Sequence, residues 1–313
     1  MLFRLGAEKT RPWRRASVTV GNFDGVHRGH QDLVTATVRH ARTSGHEAVV
    51  LTFDPHPAVV LAGQKPLPVL TRLPRRAALL GELGIDHLAI MDFSSDVAAL
   101  SPWDFAREVL QERLAAARVV VGEGFRFGAN RRGDVASLRL AGQRLGFDVV
   151  ERAKVLHMNE AISSSRVREA LAEGNVVLAG DLCGRPFRVE GEVVRGDGRG
   201  RTLGIPTANV VTSVDDAVPG PGVYACWAWA PDGIRRKAVV NTGVRPTFGG
   251  VEPKVEAHLP GYSGDLYGNI LAVDFVARIR AERRFATPEE LVAQIRLDVA
   301  EAERFLERPP FFG

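Results

Sequence analysis

Cysteine is scarce: Cys183 and Cys226 are the only two in 313 residues, and neither belongs to a CxxC pair. That excludes a cysteine-rich zinc site and a disulfide framework, and leaves two thiols expected to be buried and structural. Long apolar runs are missing as well. No stretch approaches the roughly 20 uninterrupted apolar residues of a membrane span, although 45% of the chain is hydrophobic. The N-terminus is basic at Arg11, Arg14 and Arg15 but lacks the apolar segment of a secretory signal, so a soluble, cytoplasmic protein is expected. Charge of one sign is lacking too. The formal net charge of +4 comes from 24 basic against 20 acidic residues up to position 183, with 17 against 17 beyond it. Nucleic-acid binding calls for a dense basic stripe; here basic groups are expected to meet the phosphates of a small ligand instead. A GxGxxG turn after the first strand and a GxxxxGKS/T loop are both absent, which disfavours a dinucleotide-dependent dehydrogenase and a Walker-type phosphate loop.

What is present divides in two. A chain of this length exceeds one ordinary hydrophobic core, so two domains are expected. In the first half, β-branched runs at Val18–Val20, Ala48–Phe53, His87–Met91, Val119–Val121 and Phe147–Val150 alternate with helical periodicity around Leu33–Ala41, Arg75–Leu83 and Pro102–Leu114. That order implies an α/β, Rossmann-like domain with a parallel sheet, its ligands at the strand C-terminal ends. In the second half, short alternating runs at Phe187–Val194, Gly222–Trp229, Arg236–Asn241, Val255–Leu259 and Ile270–Ile279 lie between Gly/Pro turns. Even spacing of short strands predicts a closed antiparallel β-barrel. A C-terminal helix is predicted from Pro288 to Leu306, with Thr287 as N-cap and proline in its first turn. The texture changes near Asp181 to Arg185, giving expected domains of 1–183 and 184–313.

The first strand runs into Gly21-Asn22-Phe23-Asp24-Gly25-Val26-His27-Arg28-Gly29-His30 and then a helix. Such a turn presents backbone N–H groups and a positive dipole end to a phosphate, which makes Gly21, Phe23, Asp24 and Gly25 nucleotide-binding candidates. His27 and His30 share a helical face by their spacing and suit the stabilisation of charge developing at an attacked phosphorus. Two surface histidines beside a glycine turn would give the same pattern. Farther on, Ser163, Ser164 and Ser165 open a helix that carries Arg166 and Arg168. Serines there either cap the helix or offer hydroxyls to phosphate, and Arg168 supplies a forked cation. Phe53-Asp54-Pro55-His56-Pro57 and Val121-Gly122-Glu123-Gly124-Phe125-Arg126-Phe127-Gly128 each follow a strand, where the cleft is expected.

In the second half, Gly196-Asp197-Gly198-Arg199-Gly200-Arg201-Thr202-Leu203-Gly204 precedes Ile205-Pro206-Thr207-Ala208-Asn209. The glycines Gly196, Gly198 and Gly200 allow the backbone to fold over phosphates. Thr207 and Asn209 offer a hydroxyl and an amide oxygen, hard donors suited to Mg²⁺. Downstream stand Tyr224, Asn241-Thr242-Gly243, Val255-Glu256-Ala257-His258-Leu259, Gly264-Asp265-Leu266-Tyr267-Gly268 and Arg280-Ala281-Glu282-Arg283-Arg284-Phe285. Glu256 reads either as a general base or as a surface carboxylate of the barrel, with His258 on the same face as its candidate partner.

The HxGH and ISSxxxR pair resembles the nucleotidyltransferases related to class I aminoacyl-tRNA synthetases. Together with the later motifs, the whole chain from about Val18 resembles the prokaryotic bifunctional riboflavin kinase/FAD synthetases. The resemblance implies an FMN adenylyltransferase module followed by a riboflavin kinase barrel, with riboflavin, FMN and ATP as substrates, FMN and FAD as products, and Mg²⁺ as cofactor. It implies that Thr207 and Asn209 hold the metal and ATP phosphates and that Glu256 is the base. Asp54, Pro55, His56, Phe125 and Arg126 in the first module, and Arg280 and Phe285 in the second, become flavin-binding candidates. The chain departs from the family at Gly124, where Asn or Asp is usual, at Asp54 for a common Glu, at Ser165 for Thr, and at Pro260-Gly261-Tyr262-Ser263 after the base strand. Gly124 motivates an alternative in which the kinase is active and the N-terminal module is weak or takes another nucleotide or flavin analogue. A binding protein with degenerate sites is disfavoured by the retained His27, His30, Thr207, Asn209 and Glu256. No motif indicates an oligomeric state.

Overall fold

The computed structural model describes residues 1–5, 13–60, 67–196, 200, 203–247 and 250–308. It falls into two compact units, Met1–Ser163 and Ser164–Gly313.

The first unit contains strands β1 (Leu2–Arg4), β2 (Ala16–Val20), β3 (Glu47–Asp54), β4 (His87–Asp92), β5 (Ala116–Gly122) and β6 (Asp148–Arg152) in a single parallel sheet ordered β1-β4-β3-β2-β5-β6. Alternate residues of one strand serve opposite faces, as the period of two requires. On β3, Val49 and Leu51 join a core with Val109, Leu110 and Leu138, whereas Val50 faces Val34, Leu79 and Leu80. Helices α1 (Arg28–Ser44) and α3 (Leu73–Glu82) cover the latter face, with the short α2 (Pro57–Val60) between them in sequence. The other face is covered by the π-helical turns Phe105–Arg113, which follow α4 (Ser95–Ala99) and α5 (Pro102–Asp104), and by α6 (Val135–Leu145).

The chain leaves β2 toward β3 and β4 on one side and returns to β5 and β6 on the other. The C-terminal ends of β2 and β5 therefore flank the point where strand order reverses, the place where open α/β sheets bind ligands. Among the elements outside the sequence expectation here are β1, only three residues long, the short α2 and α4, and α6. The α6 signal was available, because Asp134 and Ser137 form a reciprocal capping box ahead of Val135, Leu138 and Ala141.

In the second unit β9 (Phe187–Val194), β10 (Ala208–Val211), β11 (Gly222–Trp229), β12 (Arg235–Thr247), β13 (Gly250–His258) and β14 (Ile270–Arg280) close an antiparallel barrel in the order β10-β13-β12-β11-β14-β9. The C-terminal helix, Pro288–Glu307, is capped by Thr287, which accepts from the Glu290 N–H. Its Ala302 and Leu306 pack on Val223, Ala225, Val239 and Ala277, which marks that face of the staves as the outside of the barrel. The intervening residues Tyr224, Cys226, Val240 and Ala257 are fully buried within.

In sequence after β6, the hairpin β7 (Leu156–His157)–β8 (Glu160–Ala161) belongs to the first unit, whereas α7 (Ser164–Ala172) and α8 (Val176–Cys183) belong to the second. The Gly220 N–H donates to the Leu171 carbonyl, and Arg278 donates to the carbonyl of Glu173. These bonds tie the helical hairpin to the barrel strands, so the compact division precedes the expected junction at 183/184.

Candidate functional site

Cross-strand register assembles the barrel site. Asn209 on β10 lies opposite Glu256 on β13, and Glu256 lies opposite Asn241 on β12, which in turn faces Val223. Directly paired residues share a face, and Val223 packs under the C-terminal helix. Asn209, Glu256 and Asn241 therefore stand on the outside of the barrel. They line a cleft of about 510 Å³ with Thr207, Gly196 and Gly200, together with Phe285 and helix residues such as Ile295.

The glycines are sterically required there. A Cβ on Gly196 would lie 2.3 Å from Asn209 Nδ2, and one on Gly200 would lie 2.4 Å from the Ile205 carbonyl oxygen and 3.3 Å from Thr207 Oγ1. The Ile205 N–H also donates to the Gly200 carbonyl at 2.8 Å, which keeps Gly200 beside Ile205 and Thr207. Gly198 lies outside the described residues.

Glu256 is paired with Lys254, its neighbour two residues back on the same face, at 2.9 Å. His258, the partner expected from the sequence, instead donates from Nδ1 to the Pro206 carbonyl at 2.9 Å. Arg280 makes two hydrogen bonds, of 2.9 and 2.7 Å, to the buried carboxylate of Asp298 on the C-terminal helix. Gln294 donates to that carboxylate as well and is itself bonded by Arg283. Arg280 and Arg283 both lie over the Phe285 ring. Lys254, Asn241, Glu282, Arg283 and Asp298 were not sequence candidates. Asn241, Glu282 and Arg283 lie inside the quoted motifs and Lys254 two residues before Glu256, and the strand ladder brings Asn241 to Glu256, whereas Asp298 is distant in sequence and reaches Arg280 only through the docked helix.

In the first unit, Gly21, Phe23, His30, Phe53, Gly124, Phe125 and Arg126 line a cleft of about 700 Å³ at the ends of β2 and β5. His27 is the N-cap of α1 and accepts from the His30 N–H, while the two imidazoles stack with centroids 3.6 Å apart. Gly29 permits that stack, because a Cβ there would lie 3.2 Å from the His27 ring and 3.6 Å from the Ile162 carbonyl. Ile162, immediately before the serine cluster, thus runs beside the start of α1. Ser163 ends this unit, and Ser164, Ser165 and Arg168 fall on α7 in the other unit.

Other candidates have partners within the protein. The buried Asp24 accepts from the N–H groups of Leu70 and Thr71 at 3.1 and 2.9 Å, which anchors the turn. Asp54 is bonded by Arg4, which also reaches Asp92, and His56 lies 2.9 Å from the Asn22 amide. Arg126 faces Asp134 at 3.8 Å. Pro55 follows Asp54 beyond β3. Phe125 stacks on the buried Phe127 with centroids 5.6 Å apart. Sequence reading overlooked Arg76, which is buried on α3 and donates to the Asn22 carbonyl at 2.7 Å. Burial pushes its guanidinium below the ordinary arginine range, against the pull of Asp24 and Asp54.

Comparison with known proteins divides the chain similarly. A family model described as FAD synthetase matches residues 9–166, and one described as riboflavin kinase matches 183–306. The bifunctional riboflavin kinase/FMN adenylyltransferase of Escherichia coli K12 is 39% identical over 294 residues, covering 94% of each chain. That of Pseudomonas fluorescens is 39% identical over 307 residues, covering 97% of each. A solved structure described as a macrolide-efflux protein from Streptococcus pneumoniae aligns with a TM-score of 0.88 at 30% identity, covering 98% of this chain and 99% of that one. Among the described residues here, no helix is long and apolar enough to cross a membrane.

Proposed function

We propose that this chain, which belongs to the bifunctional riboflavin kinase/FMN adenylyltransferase family, phosphorylates riboflavin to FMN on the outer face of its barrel and adenylylates FMN to FAD at the end of its parallel sheet. The observation that carries the first activity is the row Asn209, Glu256, Asn241 across three adjacent staves, beside Thr207. An alcohol is a weak nucleophile, so phosphoryl transfer needs a base positioned on the hydroxyl. Glu256 accepts the proton of the riboflavin 5′-hydroxyl as its oxygen bonds to the γ-phosphorus and the bond to the β-phosphate oxygen breaks, releasing ADP. Lys254 holds the carboxylate in place. Thr207 lines both the Glu256 cleft and an adjoining cleft of about 370 Å³ that contains Arg195, Tyr262 and Tyr267. Flavin beside Glu256 and Phe285, with nucleotide in the adjoining cleft, brings hydroxyl and γ-phosphate together at Thr207.

The Thr207 hydroxyl and Asn209 carboxamide fit Mg²⁺, which takes hard oxygen donors, retains waters and completes its shell with substrate phosphates. Asn209 and Thr207 keep these positions beside Gly196 and Gly200 because neither glycine carries a Cβ. When bound there, the ion would offset charge on the ATP phosphates. Gly196→Ala must displace the Asn209 side chain, and about a tenfold loss of FMN formation is expected, in line with the cost of small misplacements. The measurement is initial rate at saturating riboflavin and ATP; an unchanged rate would separate Asn209 from the reaction.

In the second activity an oxygen of the FMN phosphate attacks the α-phosphorus of ATP and pyrophosphate leaves. No base is needed, because the nucleophile is already an anion. The first-turn N–H groups of α1 and the stacked pair His27 and His30 stabilise the charge that builds at phosphorus. Gly124, exposed at φ +76° with open space around its Cα, lines this cleft. Asn tolerates that conformation better than other side chains. Gly124→Asn is expected to raise adenylyl transfer severalfold, the worth of one added hydrogen bond of about 1 kcal/mol. A decrease would show a cleft reshaped around glycine, and with it a different flavin or nucleotide preference.

The direct test is chromatography of products from purified protein with riboflavin, ATP and Mg²⁺. FMN and FAD together support both activities, and FMN alone leaves only the kinase. A cytoplasmic location fits substrates drawn from the ATP pool.

A further inference from the structure

We infer that His258 is a positioning residue for phosphoryl transfer, holding the Pro206-Thr207 turn against the strand that carries Glu256. The inference rests on the kinase reading above. The β10–β13 ladder supplies the reason: its pairs run Val210↔Val255, Asn209↔Glu256 and Ala208↔Ala257, and end there. Thr207 and Pro206 have already left β10, so no ladder bond fixes them, and proline has no N–H to offer. His258 is the next residue of β13, and its Nδ1–H reaches the Pro206 carbonyl at 2.9 Å. One side-chain bond thus continues the pairing where the backbone stops. Since Asn209 is held by the ladder opposite Glu256, the position of Thr207 relative to both depends on this contact and on the neighbouring Ile205–Gly200 bond.

Strand alternation explains the choice of residue. Lys254, Glu256 and His258 occupy the same outer face of β13, with the buried Val255 and Ala257 between them. Their roles on that face differ. Lys254 pairs with the base, Glu256 is the base, and His258 fixes the turn that carries the phosphate ligand. His258 Nδ1 is thus committed to the turn rather than to Glu256, the partner its spacing alone suggests.

The test compares His258→Ala with His258→Asn in the full chain, since asparagine Nδ2 occupies the position of imidazole Nδ1 and keeps the donor. With the alanine variant, kcat for FMN formation should fall roughly tenfold while KM for riboflavin stays within about twofold, the signature of misaligned rather than lost substrate. The asparagine variant should recover most of that rate. FAD formation from supplied FMN, measured in the same preparations, should be unchanged in both. Amide hydrogen exchange of the 203–208 segment gives a readout that needs no turnover: faster exchange in the alanine variant, restored by asparagine, is expected. Alanine kinetics and exchange both like the parent would overturn the inference, as would an asparagine variant no better than alanine. If the parent protein forms no FMN at all, the kinase reading fails, and the exchange comparison still decides whether His258 holds the turn.

Discussion

Glu256→Gln should lower kcat for FMN formation by about 10²- to 10⁴-fold, the usual effect of removing a general base, while riboflavin and ATP still bind. Glutamine preserves the shape of the side chain on β13 and keeps an oxygen toward Lys254, so the cleft among Asn209, Asn241 and Phe285 stays intact. It cannot accept the hydroxyl proton. FAD formation from supplied FMN should survive, because His27 and His30 lie in the other compact unit. Parallel measurement of the two rates, with calorimetric binding of riboflavin, separates the cases. Near-normal FMN production by the glutamine variant would make Glu256 a structural partner of Lys254 and nothing more.

The reciprocal experiment concerns the histidines. His30→Ala should reduce adenylyl transfer by about 10²- to 10³-fold, the range for loss of one preorganised donor at a charged transition state, with FMN formation retained. His27 needs a different substitution. It is buried and caps α1 by accepting the His30 N–H, so His27→Ala removes a helix cap worth about 1 kcal/mol as well as an imidazole. His27→Asn keeps a good capping side chain and removes only the ring. Its FAD formation should fall as far as that of His30→Ala, with little change in melting temperature. Equal loss of FMN and FAD formation in a folded variant would refute separate sites.

Much of this architecture was legible in the sequence. Fully buried β-branched runs such as Val18–Val20 and the half-buried alternation of Phe187–Val194 leave different patterns, and both strands are found where those patterns lie. Elements with weak internal signal were harder. β10 is only four residues long and begins within the Pro-Thr-Ala-Asn motif, and β1 is too short for periodicity to register. The motif glycines, histidines and Glu256 were readable because chemistry demands particular side chains in local order. Their partners were not. Lys254 rather than His258 beside Glu256, Arg4 on Asp54, and Asp298 under Arg280 are settled by tertiary neighbours that no local spacing encodes. Which face of an alternating strand is outside also depends on where the C-terminal helix docks.

That exterior placement has a consequence for inheritance. Along Val255-Glu256-Ala257-His258 the gene alternates between a codon read by the barrel interior and a codon read by the cleft. An enlarged side chain at Ala257 overpacks the interior at a cost of about 1–3 kcal/mol, and such losses appear in cells mainly as less folded protein. A change one residue earlier or later adds nothing to the packed interior and falls instead on the cleft, where it alters what each molecule does. Adjacent codons thus govern abundance and turnover separately, so variation in one trait can accumulate with little drag on the other.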